Sequence, residues 1–331
     1  MSAAWALAGA GVSVTLVDAG VPGATGLASL VNPFTGPKAS PAWRWDEALA
    51  ALGALLDACG TSLRPGLVRP ARDVRQATAF AARAAAHPQA LVWHAGPDAP
   101  TGVVAPHGWL DVCVGGVWAD PQRDLARLVE RLETAGAVTR VLGRAVEAGD
   151  TPTGAWLDVE TDGVRHRLSA DAVVLALGDG LRAWPAVAAL GLARVGGRRY
   201  AATAAPDVPA VSVGAYAVPD GGGLVHIGGT YDHADPDAPP SAEEGTALVA
   251  RLRPFVPSLG GFVGPGEAAV RVHRAGVRRP LVRRLADLNG RGRERVWALT
   301  GLGSKGLLMG PLVAMGLAAW LRGAPVPEEI A

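Results

Sequence analysis

The residues with the most to offer chemically sit near the C-terminus, in Thr300-Gly-Leu-Gly-Ser-Lys-Gly-Leu307. Gly301, Gly303, Ser304, Lys305, Gly306 and Leu307 form a glycine-rich turn that opens an apolar helix predicted over Leu307–Leu321. A helix N-terminus carries partial positive charge and unpaired N–H donors, so such a turn can face an anion. Lys305 either adds to that charge or stays in solvent. The plain alternative is an ordinary loop-to-helix junction. Near the other end, Asp18 closes the apolar run Val12–Val17. A carboxylate at a strand end can accept both ribose hydroxyls of an adenosine, or it is an ordinary exposed acid. Gly23, Thr25 and Gly26 can bring backbone N–H groups and a hydroxyl close to an anion, or form a simple turn. Gly178 follows the buried-looking run Ala172–Leu177, where glycine permits close backbone approach at a sheet crevice.

Six arginines, Arg271, Arg274, Arg278, Arg279, Arg283 and Arg284, fall within fourteen residues. A solvated face with scattered ion pairs accounts for most of them. A patch for nucleic-acid phosphates is a second reading. Tyr216 and Tyr231 lie on β-runs, and their hydroxyls could bind a carboxylate or simply belong to half-buried strand tyrosines. His226, His233 and His273 read as structural or surface residues.

Composition narrows the classes. The chain has 331 residues, 49% of them hydrophobic and 18% charged, which describes a globular protein with a sizeable core. A net charge of +1 gives no global reason to expect a nucleic-acid partner. Cys59 and Cys113 have no metal-ligand spacing, and no HxxxH or HExxH pattern occurs, so no metal site is expected. With two cysteines and no requirement for a disulfide, a reducing cytoplasm is the default setting. Met1–Gly11 lacks the charged start of a signal peptide. Leu307–Leu321 contains Gly310, Pro311 and Gly316 and is short for a membrane span.

These residues need elements to hold them. Ser2–Ala10 is predicted as a helix, Val12–Val17 as a strand, and Gly20–Pro41 as a long loop containing Asn32-Pro-Phe-Thr-Gly36. Trp43–Cys59 and Asp73–Ala86 read as amphipathic helices. Asp120 and Pro121 mark the start of a helix running to Ala135. Strands are predicted over Trp109–Val117, Val138–Val146, Ala172–Leu177, Val270–His273 and Val296–Leu299. Trp156–Thr161 and Val164–Leu168 suggest a hairpin, and short β-runs dominate Val195–Thr230. Ser241 with Glu244 forms a capping box for a helix to Leu252. Helix, glycine turn, strand and terminal acid over Ser2–Asp18 make the second half of a Rossmann βαβ unit. The first half, a strand and a GxGxxG turn, would start roughly 15–20 residues before Ser2. The expectation is therefore a start placed too late in the reading frame, or a chain that has lost its phosphate loop.

Val14–Ala19, Gly23–Gly26 leading to Asn32-Pro33, Ala172–Gly178 and Thr300–Leu307 occur in an order that resembles the D-amino-acid oxidase and glycine oxidase superfamily. The likeness is nearest to the oxidase half of bifunctional enzymes that modify tRNA wobble uridines. The resemblance implies an α/β fold: a Rossmann-like FAD-binding domain, truncated at its N-terminus, with an interleaved α+β substrate domain on an antiparallel sheet. The expected FAD-binding domain is residues 1–45, 116–185 and 271–331; the expected substrate domain is 46–115 and 186–270. The cofactor implied is FAD, held by Asp18, Gly23, Thr25, Gly26, Val146, Gly178 and the turn Gly301 to Leu307. Val146 would meet the adenine edge with its backbone, or be a core valine. The C-terminal turn would face the flavin N1 and C2 carbonyl, where a reduced flavin is anionic. The family places an Arg after a Gly where this chain has Ala275-Gly-Val-Arg278, and implies that Arg278 binds a substrate carboxylate. The following Arg279-Pro-Leu-Val-Arg-Arg284 departs from the family pattern, as does Leu177, where a small hydroxyl residue is usual. The implied reaction is hydride transfer from an amine or amino acid to flavin, giving an imine, with Arg278, Tyr216 and Tyr231 around the substrate. The alternatives are a non-catalytic relative that has lost FAD, or an oxidoreductase acting on tRNA, a partner that the net charge does not favour.

Overall fold

The computed structural model describes residues 1–20, 28–184, 187, 190–285 and 294–331. Its longest strands lie where the sequence suggested only short β-runs. Leu192–Thr203 and Phe262–Arg274 pair antiparallel from Leu192 opposite Arg274 to Ala202 opposite Phe262. They begin an eight-stranded sheet that continues through Leu224–Gly228, Tyr216–Pro219, Ala210–Ser212, Leu67–Pro70, Trp109–Val112 and Leu91–His94. Ala210–Ser212 and Leu67–Pro70 run parallel; the other neighbours are antiparallel.

Side chains alternate across a strand, so this sheet has two unlike faces. One carries Tyr200, Ala202, Ala217, Val225 and Ile227 and packs on Leu248, Val249 and Leu252 of the helix Ala242–Leu252. The register puts Arg199, Gly228 and Tyr216 together on the other face, with His226 opposite Val218 and Arg271 opposite Val195.

The remaining strands form smaller sheets. Val14–Asp18 runs parallel to Val138–Leu142, with Asp18 opposite Leu142. Val173–Leu175 runs parallel to Val296–Thr300, which pairs antiparallel with Leu281–Arg284. The predicted hairpin forms over Ala155–Thr161 and Val164–Ala170. Ser29–Val31, Gly116–Trp118 and Arg64–Pro65 make a three-stranded sheet, and Phe34–Thr35 pairs with Ser40–Pro41. The expected loop Gly20–Pro41 therefore carries short strands among its described residues. Two expected strands are each divided. Trp109–Val117 breaks after Val112, where the chain turns and the Gly115 N–H donates back to the Val112 carbonyl at 2.9 Å. Val138–Val146 breaks at Gly143, where the chain leaves its pairing with Val14–Asp18 and begins to pair with Ala155–Thr161.

The C-terminal helix, Gly306–Leu321, is apolar all round, which suits a buried helix. Leu308 and Met309 pack with Leu52 and Leu55 of the helix Trp45–Cys59. Val313, Leu317 and Trp320 pack with Leu7 of the helix Ser2–Gly9. Gly303–Leu321 is 19 residues with mean hydropathy 1.3, long and apolar enough to cross a membrane, and half of it is buried inside the protein.

Capping fixes the helix starts, at Asp120 and Ser241 as the sequence suggests. Asp120 accepts from the Arg123 N–H, and Asp73, read from the sequence as part of its helix, is the cap that accepts from the Gln76 N–H. Ser241 accepts from the Glu244 N–H at 3.2 Å. Glu244 does not reach back directly; Tyr200 completes the box. Its hydroxyl accepts from the Ser241 N–H at 3.0 Å and donates to Glu244 Oε2 at 3.2 Å. Tyr200→Phe removes both bonds and should lower stability by about 1–2 kcal/mol, read by urea unfolding. An unchanged midpoint would show that the relay contributes nothing.

Candidate functional site

The site grows from the turn Asn32–Gly36. Asn32 Oδ1 accepts from the Phe34 N–H at 2.9 Å, an Asx turn that fixes the bend. Arg69, only 4% exposed, reaches the turn from the strand Leu67–Pro70. It donates Nη1 to the Phe34 carbonyl at 2.6 Å and Nη2 to the Gly36 carbonyl at 2.7 Å. Its guanidinium lies 4.9 Å from the Phe80 ring centroid. Between those two carbonyls sits Thr35, whose hydroxyl accepts from Lys305 Nζ at 2.9 Å.

Lys305 ends the glycine-rich turn. Gly301 (φ 74°) and Gly303 (φ 53°) take left-handed conformations that favour glycine. Lys305 is the N-cap of Gly306–Leu321, and no side chain caps that end. Among the described residues its first N–H groups therefore have no side-chain acceptor. Thr300, just before the turn, is buried and its hydroxyl has no partner. Burial, then Arg278 and Arg69, push the Lys305 ammonium down to about 8. Burial, then Arg72, pushes Arg69 down to about 10.

Across the sheet face, Arg271 lies over Gly197, where any Cβ would collide with its guanidinium. It donates to the Thr230 and Gly196 carbonyls and stacks 4.4 Å from the Tyr231 ring centroid. Burial, followed by His233, Arg278 and Arg271, lowers the His273 pKa. Tyr216 lies against Gly228 and Gly229, and burial raises its pKa. His226 is 5% exposed with Nε2 unpartnered; burial, then Arg199, lowers its pKa. Among the described residues, Arg69, Arg271, Arg278 and Lys305 have no carboxylate partner. The site thus presents positive charge that an anion would neutralise.

The structure distributes the remaining expected residues unevenly. Arg278 is exposed, yet close enough to influence both Lys305 and His273. Tyr231 is 61% exposed and stacks on Arg271. Asp18 Oδ1 accepts from the Gly20 N–H at 2.9 Å and Oδ2 from Arg140 Nη2 at 2.7 Å. Burial alone would raise the Asp18 pKa, but those two donors outweigh it and hold it below the usual range. Val146 falls at a β-bulge between Ala145 and Glu147, where the strand register skips a residue. Gly178 has φ 55°, and a Cβ there would meet nothing within 4 Å. Its glycine therefore serves the backbone turn rather than a close approach within the protein. Gly23, Thr25 and Gly26 lie outside the described residues. The arginine run is split: Arg271 and Arg278 adjoin the site, Arg274 lies 3.5 Å from the Ala331 carbonyl, and Arg284 stacks on Trp297. Arg69, Thr35 and Arg140 were missed by the sequence reading. Each acts through a partner far along the chain, and no local spacing marks it. Cys59 and Cys113 are both free thiols.

Lys305 makes stability depend on pH. Its pKa falls from the usual 10.5 to about 8 in the folded chain. The unfolded chain therefore binds the proton more tightly, and stability from this group rises as pH climbs from about 8 towards 10.5. The full difference is about 3 kcal/mol. The gap in unfolding free energy between the unaltered chain and Lys305→Met should grow in the first's favour over that window. A pH-independent gap would contradict the partial burial that lowers the Lys305 pKa.

A family model described as FAD dependent oxidoreductase (DAO) matches residues 1–320. The bifunctional tRNA 5-methylaminomethyl-2-thiouridine biosynthesis protein MnmC of Caulobacter vibrioides is 32% identical over 217 residues. That alignment covers 60% of this chain and 35% of the relative, so it spans about a third of that protein's length. Glycine oxidase from Geobacillus kaustophilus has a similar fold, with TM-score 0.75, 18% identity, and coverage of 98% of this chain and 92% of that one. Iminodiacetate oxidase from Chelativorans sp. BNC1 gives 0.76 and 19%, covering 100% of this chain and 95% of that one. With a sheet roof, a glycine-rich turn at an uncapped helix start and a family match along nearly its whole length, the chain belongs to the FAD-dependent oxidoreductases of the DAO family.

Proposed function

We propose that the chain oxidises an amine or amino acid that carries a carboxylate. The observation behind this reading is the set of cations without carboxylate partners: Lys305 and Arg69 at the turn, Arg278 beside them, and Arg271 on the sheet. In this reading residues 1–45, 116–185 and 271–331 hold the cofactor, and 46–115 and 186–270 build the substrate roof. The helix Trp45–Cys59 packs on the C-terminal helix, and so would serve the cofactor side as well.

The residues fit FAD on two counts. The start of Gly306–Leu321 has no side-chain cap, and the buried Thr300 hydroxyl just before it has no hydrogen-bond partner among the described residues, so both leave polar groups that a ligand would satisfy. Lys305 would face the ring edge that gains negative charge, and Asp18 would accept from the ribose with the lone pairs left by Gly20 and Arg140. Val146, Gly178 and the loop with Gly23, Thr25 and Gly26 would line the rest. FAD, when bound, supplies the two-electron acceptor for hydride leaving the substrate carbon.

The chain's own residues orient the substrate. Arg278 would pair bidentately with the substrate carboxylate. The Tyr216 hydroxyl, kept protonated by burial, and that of Tyr231 would bound the other side. The amine enters neutral, and its lone pair forms the C=N bond as hydride departs. Water then adds to the imine, releasing a carbonyl compound and the amine or ammonia. Such a reaction needs orientation and exclusion of water more than a strong base.

A second reading places the amine on tRNA, and the similarity to the MnmC protein favours it. It requires tRNA binding that weakens steeply with salt.

Protein purified with FAD should show flavin bands near roughly 375 and 450 nm, the signature of an oxidised flavin. The longer-wavelength band should bleach on anaerobic addition of a carboxylate-bearing amine. Arg278→Ala should raise KM about 10–150-fold, the cost of a lost charged hydrogen bond, with kcat much less affected. Unchanged kinetics would remove Arg278 from the site, and bleaching by amine-bearing tRNA alone would favour the second reading.

A further inference from the structure

Arg69 enters the reading above only as one of its cations, with no role of its own, and its placement is costly. It is a nearly fully buried cation that has no carboxylate partner among the described residues, and its Nε has no hydrogen-bond partner among them. A buried unpaired charge persists only where other bonds compensate. Those bonds all go to one turn. The guanidinium fork takes the carbonyls of Phe34 and Gly36, one on each side of Thr35. Two parallel donors on a rigid plane are what arginine offers and lysine does not. Thr35, so held, provides the hydrogen-bond acceptor for Lys305 Nζ.

The choice of residue at 305 is informative in this chain. Lys38 and Lys305 are its only lysines among 31 Lys and Arg residues. The basic group placed at the glycine-rich turn is thus the kind that can release its proton, in a protein that uses arginine almost everywhere else.

We propose that Arg69 is a positioning residue: by clamping the two carbonyls around Thr35 it holds Lys305 in its half-buried place at the glycine-rich turn. The importance of this for catalysis rests on the proposed role of Lys305 beside the flavin, but the clamp itself does not. Loosening the turn lets Lys305 reach water. Its ammonium then becomes easier to keep.

The test is a 13C NMR titration of the lysine Cε groups in the full chain without added flavin. In the unaltered chain the two lysines give two resonances, and Lys305→Met assigns them; Arg69→Lys adds a third, which combining Arg69→Lys with Lys305→Met tells apart from that of Lys305. Arg69→Lys is the deciding variant, because it keeps the positive charge and loses the two-carbonyl fork. The clamp predicts that Arg69→Lys raises the Lys305 midpoint by about one pH unit, as solvation restores the charged form. It predicts a rise at least as large in Arg69→Met, and none in Tyr200→Phe, a destabilised control remote from the turn. An Arg69→Lys midpoint equal to that of the unaltered chain would overturn the proposal, leaving Arg69 as a charge or a packing group only. Because flavin is absent, the result stands apart from the proposed reaction. Failure of the chain to oxidise amines would leave the clamp intact, and failure of the clamp would leave the oxidase reading intact.

Discussion

Positive charge buried without a carboxylate is expensive, and this chain concentrates it in one place. Arg69 is buried, Lys305 and Arg271 are half-buried and Arg278 lies exposed beside them, while Glu267, an acid on the same sheet, is already paired with Arg199. Desolvation works against each of the buried cations, and their mutual repulsion adds to the cost. Backbone carbonyls and a threonine hydroxyl offset part of it: Phe34 and Gly36 for Arg69, Thr35 for Lys305, Thr230 and Gly196 for Arg271. Dipoles of this kind hold a cation without cancelling its charge. The field is therefore left available to a bound anion, which is what electrostatic preorganisation requires.

The rest of the fold follows from the need to hold these groups still. The eight-stranded sheet gives one face to its own core and the other to the site, so Tyr216, His226 and Arg271 are fixed by strand register. The apolar C-terminal helix is anchored along its length by two other helices. That anchoring presents its uncapped first turn rigidly, with Gly301 and Gly303 bending the chain into it. The short pairing of Phe34–Thr35 with Ser40–Pro41 and the Asx turn at Asn32 give Thr35 a defined position.

Local chemistry was the legible part of the sequence. Asp120 and Ser241 announce their helices because a cap acts within three residues, and each accepts from the N–H three residues on. The glycine-rich turn was readable for the same reason. Leu192–Thr203 was hidden because Arg194, Gly196, Gly197, Arg198 and Arg199 break the apolar alternation. Arg198 is nevertheless buried, with Asp232 and the carbonyls of Asp235 and Ala238 around it. Arg69 was invisible because its partners lie more than thirty residues away and its neighbours are all buried. The Tyr200 relay could not be read either, since the Ser241–Glu244 spacing suggests a direct reciprocal cap that the side chains do not make.

The central claim is that the site's uncompensated positive charge favours a cofactor that becomes more negative on reduction. The most direct test is the reduction potential of FAD bound to the chain, measured by equilibration with a reference dye at pH 7. The account predicts a potential above that of free FAD, falling towards the free value when Lys305 is replaced by Met. A bound potential at or below that of free FAD would contradict it.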